Sequence, residues 1–186
     1  MRLIVGISGA SGALLGVELL KTLRLFDDCE VHLIVTKSAE VTLSVETGKS
    51  LEDVIRMAAY YHPIDRISAV IASGTFITDG MIICPCSMKT VAGIASGYSD
   101  NLLLRAADVC LKEKRKVILV PRETPLSSIH LRNLLTVSRE GCIVIPPVFT
   151  LYQRPETLQE LMDAIVAKIL MQFGLKHPHF RPWSGS

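Results

Sequence analysis

Arg105, Asp108 and Lys112 recur at steps of three and four through the mostly apolar stretch 101–114, which places two cations and a carboxylate on one face of a helix. Charges on so apolar an element need partners. An internal ion-pair cluster around Asp108 would supply them, and so would a bound anion; Arg122, at the end of a neighbouring apolar run, adds weight to the anion. Glu123 follows Arg122 directly. A buried carboxylate beside an arginine can work as a general acid or base, while the plainer reading is a turn residue paired with Arg122 or Arg139. The second place for chemistry is Gly6-Ile7-Ser8-Gly9-Ala10-Ser11-Gly12. Its glycines let the backbone turn and approach a ligand, and a helix starting behind it offers free N–H groups and a partial positive charge. A phosphate fits there, with Ser8 and Ser11 as hydroxyl donors; an ordinary turn with Ser11 capping the helix fits equally. Cys84-Pro85-Cys86 has the wrong spacing for a closed zinc site, and no second Cys or His pair completes it, so no metal is expected. His130 reads as a packed histidine, His177-Pro178-His179 as solvent-facing, and Glu46 says little by itself.

The elements that must position these groups alternate. Leu3-Ile4-Val5 opens a strand, the small-residue loop follows, and a helix runs to residue 26; a second strand covers 30–36. Thr36 and Lys37 stand where a dinucleotide-binding unit usually carries an acid for the ribose, and the loop lacks the full G-x-G-x-x-G pattern, which disfavours NAD. Short helices are expected over 39–43 and 50–59, the latter capped by Ser50 with Asp53 three residues on. Strand-like runs at 81–84, 117–120 and 142–145 are each followed by Pro-containing turns, with helices over 91–96, 101–114 and from about 127. Pro155 is expected to start the last helix, whose apolar residues keep a 3.6-residue period to Phe173-Gly174. Strands that are apolar throughout and alternate with helices give a parallel sheet covered on both faces. In such sheets ligands sit at the carboxyl ends of the strands, so residues 8–12, Thr36, 85–90 and 121–123 are expected to converge.

At 186 residues the chain suits one domain, read as 1–174 with a tail over 175–186. Hydrophobic residues make up 49% and charged ones only 20%, so apolar surface beyond one core is expected to be buried between subunits in a homo-oligomer. Mean hydropathy is +0.38. No window is apolar enough to span a membrane, Met1-Arg2 leads straight into a strand without signal-peptide features, and five scattered cysteines suit reduced, packed thiols; together these give the expectation of a cytoplasmic protein. A net charge of +2 without single-sign runs points to neither nucleic acid nor membrane.

Several longer motifs carry a resemblance: S-G-A-S-G after the first strand, A-S-G with T-D-G-M-I leading into P-C-S-M-K-T, N-L-x-x-R-A-A-D-V-x-L-K-E, V-P-R-E-T-P-L-S-x-I-H-L and Y-x-R-P-E. Over nearly the whole chain they resemble the UbiX-type flavin prenyltransferases, in the branch that accompanies phenolic acid (hydroxyarylic acid) decarboxylases and is counted among their subunits. The resemblance implies a three-layer, Rossmann/flavodoxin-like α/β fold and a single flavin-binding domain over 1–174. It implies metal-independent transfer of a dimethylallyl group from dimethylallyl phosphate to N5 and C6 of reduced flavin mononucleotide (FMN). The prenylated FMN would serve a UbiD-like aromatic acid decarboxylase, and the protein would be a dodecamer built of trimers. Residue by residue, Gly9, Ala10, Ser11, Thr36, Ser87, Met88, Lys89, Thr90 and Arg122 would hold the flavin. Arg105, Lys112, Tyr152 and Lys168 would bind the donor phosphate, partly across subunits; Ser11 and Glu123 would handle protons and Glu46 would line the site. Two positions depart from many members: Lys168 replaces an arginine and gives up its bidentate grip, and Lys89 stands where some members have glycine.

Two other functions fit the same fold. An FMN-dependent cysteine decarboxylase would resemble this chain at the flavin loops, but P-A-S-A-N-T is expected there, and Lys89 replaces the asparagine that would clamp the substrate carboxylate. A non-catalytic flavin-carrying subunit would have no use for a second anion site.

Overall fold

The computed structural model describes residues 1–183; Ser184, Gly185 and Ser186, the end of the expected tail, lie outside the described residues. Strands are β1 (Arg2–Ile7), β2 (Glu30–Val35), β3 (Tyr60–Tyr61), β4 (Gly80–Cys86), β5 (Lys116–Pro121) and β6 (Ile143–Val144). Helices are α1 (Ala13–Leu23), α2 (Lys37–Thr47), α3 (Leu51–Ile55), α4 (Met88–Ala95), α5 (Leu102–Lys112), α6 (Ser128–Arg139) and α7 (Leu158–Met171), with a 3-10 turn at Val70–Ala72. All strands pair in parallel in the order β3-β2-β1-β4-β5-β6. The chain thus winds outwards one way from β1 and the other way from β4, leaving a crevice where the two directions part.

β1, β4 and β5 each feed both layers, which is why they read as nearly unbroken apolar runs. Leu3, Val5 and Ile7 enter a core with α1 and α7, and Ile82 and Cys84 of β4 join them. Ile4, Ile34, Met81 and Ile83 face the opposite core, against α4 and α5. On the first side α1 lies very close to the sheet: a Cβ on Gly16 would stand 2.5 Å from the carbonyl oxygen of Cys84, so only glycine lets the helix settle there.

The boundaries depart from expectation where capping decides them. The first helix closes at Leu23 rather than 26, and α2 extends to Thr47, well past 43, closed by Gly48 at φ 65°. α7 starts three residues after Pro155, because Thr157 caps it and Glu160 returns the bond to the cap. α5 stops at Lys112, and α3 is only five residues long, although its Ser50–Asp53 capping box forms. The segment after α7 is not a solvated tail. Leu175 packs against the core and His177 is buried. α6, in contrast, fully buries Val137 alone and leaves Ile129, Leu131 and Leu135 about half exposed, at 58%, 54% and 52%.

Replacing Gly16 by valine should therefore force α1 off β4 and cost about 3 kcal/mol. A lowered midpoint of urea unfolding at unchanged slope would be the signature, and a wild-type midpoint would contradict the close approach.

Candidate functional site

The crevice between β1 and β4 is laced together by one buried hydroxyl. Ser8, 1% exposed, donates its Oγ–H to the Pro85 carbonyl at 3.0 Å and accepts the Ser87 N–H at 2.7 Å. Its own N–H also meets the Pro85 carbonyl, at 3.2 Å. One strand further on, the Arg122 N–H donates to the Cys86 carbonyl at 3.2 Å, so the ends of β1, β4 and β5 are tied in series.

A cavity of about 370 Å³ opens beside these ties, lined by Gly9, Thr36, Ser87, Lys89, Thr90 and Asn101 among others, a volume suited to a small-molecule site. Three helices begin on its wall. Thr36 caps α2 by accepting the Ala39 N–H at 3.2 Å, Ser87 caps α4 through the Thr90 N–H at 3.3 Å, and Asn101 caps α5 through the Leu104 N–H at 3.1 Å. Three positive helix ends facing one space favour an anionic ligand. The first turns of α4 and α5 contain no acid. Hydroxyls are paired along the wall, Thr36 with Ser38 at 3.2 Å and Ser87 with Thr90 at 3.1 Å. Lys37 is engaged by Asp65 at 3.1 Å, whereas Lys89 makes no ion pair among the described residues. A Cβ on Gly9 would fall 2.2 Å from Ser38 Oγ, so this turn needs glycine to lie against α2.

The N-terminus of α1 is different. Its cap residue is Gly12, at φ 99°, and no side chain of the loop caps it. Glu46, from the last turn of α2, reaches across and accepts the Gly12 N–H at 3.0 Å and the Ala13 N–H at 2.8 Å. This corrects two expectations: Ser11 is not the cap, and the anion at this helix start is supplied by the chain itself. Ser11 is left exposed, next to the backbone that Glu46 holds. Ala10 and Met88 are buried, so they shape the loops.

The remaining predicted residues fall into separate groups. Arg105 pairs with Asp108 at 2.8 Å, as the ion-pair reading expected, but on a half-exposed face, and Lys112 pairs with Glu113 rather than with Asp108. Arg122 and Glu123 are exposed. Glu123 pairs with neither Arg122 nor Arg139; its carboxylate accepts the N–H of Thr124 at 3.1 Å. Tyr152 and Lys168 line another cavity of about 340 Å³, a largely apolar groove closed by Phe180 and Trp183. α5 packs on one face of the sheet and α7 on the other. The α5 cations and the Tyr152–Lys168 groove therefore cannot meet within one protomer.

Sequence reasoning missed Ser8 as the tie, Asn101 as a wall of the cavity, and the burial of His177. Asn101 carried a readable signal, an N-cap residue directly before an apolar helix. All five cysteines are free, and no group of three or more His, Cys, Asp or Glu capable of holding a metal occurs among the described residues.

Known proteins share the sequence and fold of this chain over its whole length. A family model described as Flavoprotein matches residues 1–172. A probable UbiX-like flavin prenyltransferase of Sedimentibacter hydroxybenzoicus is 53% identical over 186 residues, covering 100% of this chain and 98% of the relative. Among solved structures, a dodecameric FMN-dependent UbiX-like decarboxylase from Escherichia coli O157:H7 superposes with a TM-score of 0.98 at 52% identity, covering 100% of both chains. AnUbiX (PadA1), in complex with FMN and dimethylallyl pyrophosphate, gives 0.97 at 45% identity over 100% of this chain and 98% of that one.

Removing the carboxylate in Glu46→Ala leaves two N–H groups of α1 without their acceptor. A loss of about 1–2 kcal/mol is expected, with Glu46→Gln retaining part of it, measured by thermal or urea unfolding. Thiol chemistry gives a second check. Burial pushes the Cys84 and Cys86 thiols far up, Cys110 to about 11 and Cys142 to about 12. At pH 8 a maleimide should label Cys29, the one half-buried cysteine, and reach the other four, all buried, only after unfolding.

Proposed function

This chain belongs to the flavoprotein family, among its UbiX-like flavin prenyltransferases, and we propose that it joins a dimethylallyl group to N5 and C6 of reduced FMN, as a metal-independent enzyme. The observation that carries this is the cavity at the β1/β4 crevice, where three helix N-termini, paired hydroxyls and the unpaired Lys89 face one space. That inventory fits the phosphate of FMN and the close approach of a planar ring system over Gly9. When bound, the flavin supplies a nucleophilic nitrogen and carbon and a π-rich surface beside which an allylic cation can form.

The chain's own residues have three tasks. Gly9, Ala10, Ser11, Thr36, Ser87, Met88, Lys89, Thr90 and Arg122 hold and orient the flavin. The donor's C–O bond breaks as phosphate leaves, and Arg105, Lys112, Tyr152 and Lys168 bind that phosphate and offset its developing charge, which is catalysis by positioning and electrostatics. Ser11 and Glu123 move protons at the reacting carbons, and Glu46, holding the backbone at Gly12 and Ala13, keeps Ser11 in place. Because α5 and α7 occupy opposite faces of the sheet, the phosphate site is completed between subunits. The bare apolar side of α6 suits such an assembly, and the dodecameric state of the E. coli relative gives its expected form. The prenylated FMN is then handed to a UbiD-like decarboxylase in the cytoplasm. No helix among the described residues is long and apolar enough to cross a membrane.

The test is a mass spectrum of the flavin released after anaerobic incubation with reduced FMN and dimethylallyl phosphate. A gain of one C5H8 unit is expected; unmodified flavin with both the phosphate and the pyrophosphate donor would leave a flavin-carrying subunit instead. Glu123→Ala should abolish the product while FMN still binds. Lys112→Ala and Lys168→Ala protomers, each inactive alone, should regain activity when assembled together, and their failure to do so would overturn a phosphate site shared between subunits.

A further inference from the structure

The residues after α7 hold an unexplained buried polar group. His177 has a side chain only 1% exposed, and its Nε2 has no hydrogen-bond partner among the described residues. That atom points towards Asp163 of α7, 3.7 Å from Oδ1, a carboxylate itself only 13% exposed and held by Gln159 at 2.8 Å. The other ring nitrogen is committed. Nδ1 accepts the backbone N–H of His179 at 3.2 Å, which puts the ring proton on Nε2, facing the acid. The ring therefore braces the segment's own turn and lies against the middle of α7. Beyond His179 the chain forms the wall of the Tyr152–Lys168 groove: Phe180, Pro182 and Trp183 line it, and the Arg181 carbonyl accepts the side-chain N–H of Gln153. Trp183 stands 6.0 Å from the Tyr152 ring.

We infer that His177 is a positioning residue: it pins the C-terminal segment across α7 so that Phe180 and Trp183 close the Tyr152–Lys168 groove around a short phosphorylated isoprenoid. The phosphate end meets Lys168 and the Tyr152 hydroxyl, and the hydrocarbon lies against Phe180, Pro182 and Trp183. This deepens the reading of that groove as the donor site and rests on it. The ring itself touches no reactant. A neutral imidazole is required, because an imidazolium carries a proton on Nδ1 and cannot accept from His179. Burial, opposed by Asp163 and reinforced by His179, lowers the pKa of His177 below the ordinary histidine value, in the same sense.

Two substitutions separate the pin from mere bulk. In His177→Asn the side-chain oxygen can replace Nδ1 as acceptor; in His177→Leu the space is filled and the acceptor is gone. Trp183 is the chain's one tryptophan, so its fluorescence reports the groove directly during titration of the full-length oligomer with dimethylallyl phosphate. His177→Asn should stay within about threefold of the wild-type Kd, and His177→Leu should weaken it about tenfold, the worth of one buried hydrogen bond. Trypsin should cut after Lys176 faster in His177→Leu only, and FMN affinity should be unchanged in both. Equal donor affinity in wild type and His177→Leu overturns the inference, and so does a parallel loss of donor and FMN affinity in both variants. If the unsubstituted protein neither responds to the donor nor prenylates FMN, the donor-site reading fails, while cleavage after Lys176 still decides whether His177 holds the segment.

Discussion

Ser8 sets the geometry on which everything else is built. β1 and β4 are neighbours in the sheet, yet the chain leaves them in opposite directions, and nothing in a parallel ladder fixes how the two departing loops sit relative to each other. The buried Ser8 hydroxyl does so by donating to one loop residue and accepting from another. A buried hydroxyl with either capacity unused would cost about 1–3 kcal/mol, so the arrangement is held by a penalty as much as by a bond. Ser87, thus located, is also the cap of α4, and Gly9 follows Ser8 directly. The start of one helix and the turn before another are placed by a single atom.

Much of the fold could be read from the chain because a parallel sheet buried on both sides needs apolar residues at every strand position, and such runs stand out. The ends of elements were harder wherever the capping group was remote or competed with a stronger local cue. Pro155 looked like a helix start, but Thr157 and Glu160 offered two reciprocal bonds two residues later. Ser11 looked like a cap, but the carboxylate that caps α1 comes from 34 residues away, and no local pattern announces it. His177-Pro178-His179 reads as solvated by composition; packing of Leu175 against the core draws His177 in after it.

The site was legible to differing degrees for a similar reason. Residues 8–12, Thr36 and 85–90 sit at strand ends, and the alternation of strands and helices predicts that such ends share one edge of the sheet. Arg105 and Lys112 could be seen as a charged face, but how that face lies relative to the Tyr152–Lys168 groove could not, since α5 and α7 pack on opposite sides of the sheet and no local pattern records this. Tyr152 and Lys168 entered through the family resemblance alone. The high hydropathy pointed at the same missing information: α6 is apolar along a face that one copy leaves bare.

The cap that Glu46 places on α1 bears on how long a flavin stays. In a protein that keeps its flavin for life, the ligand's phosphate can be the counter-charge that completes a helix end, so that emptying the site leaves the fold unbalanced. Here the charge at the start of α1 is balanced from within, by a carboxylate of the same chain. The flavin can then arrive as a reactant, depart as a product, and leave behind a scaffold ready for the next molecule, which suits a courier more than a permanent tenant.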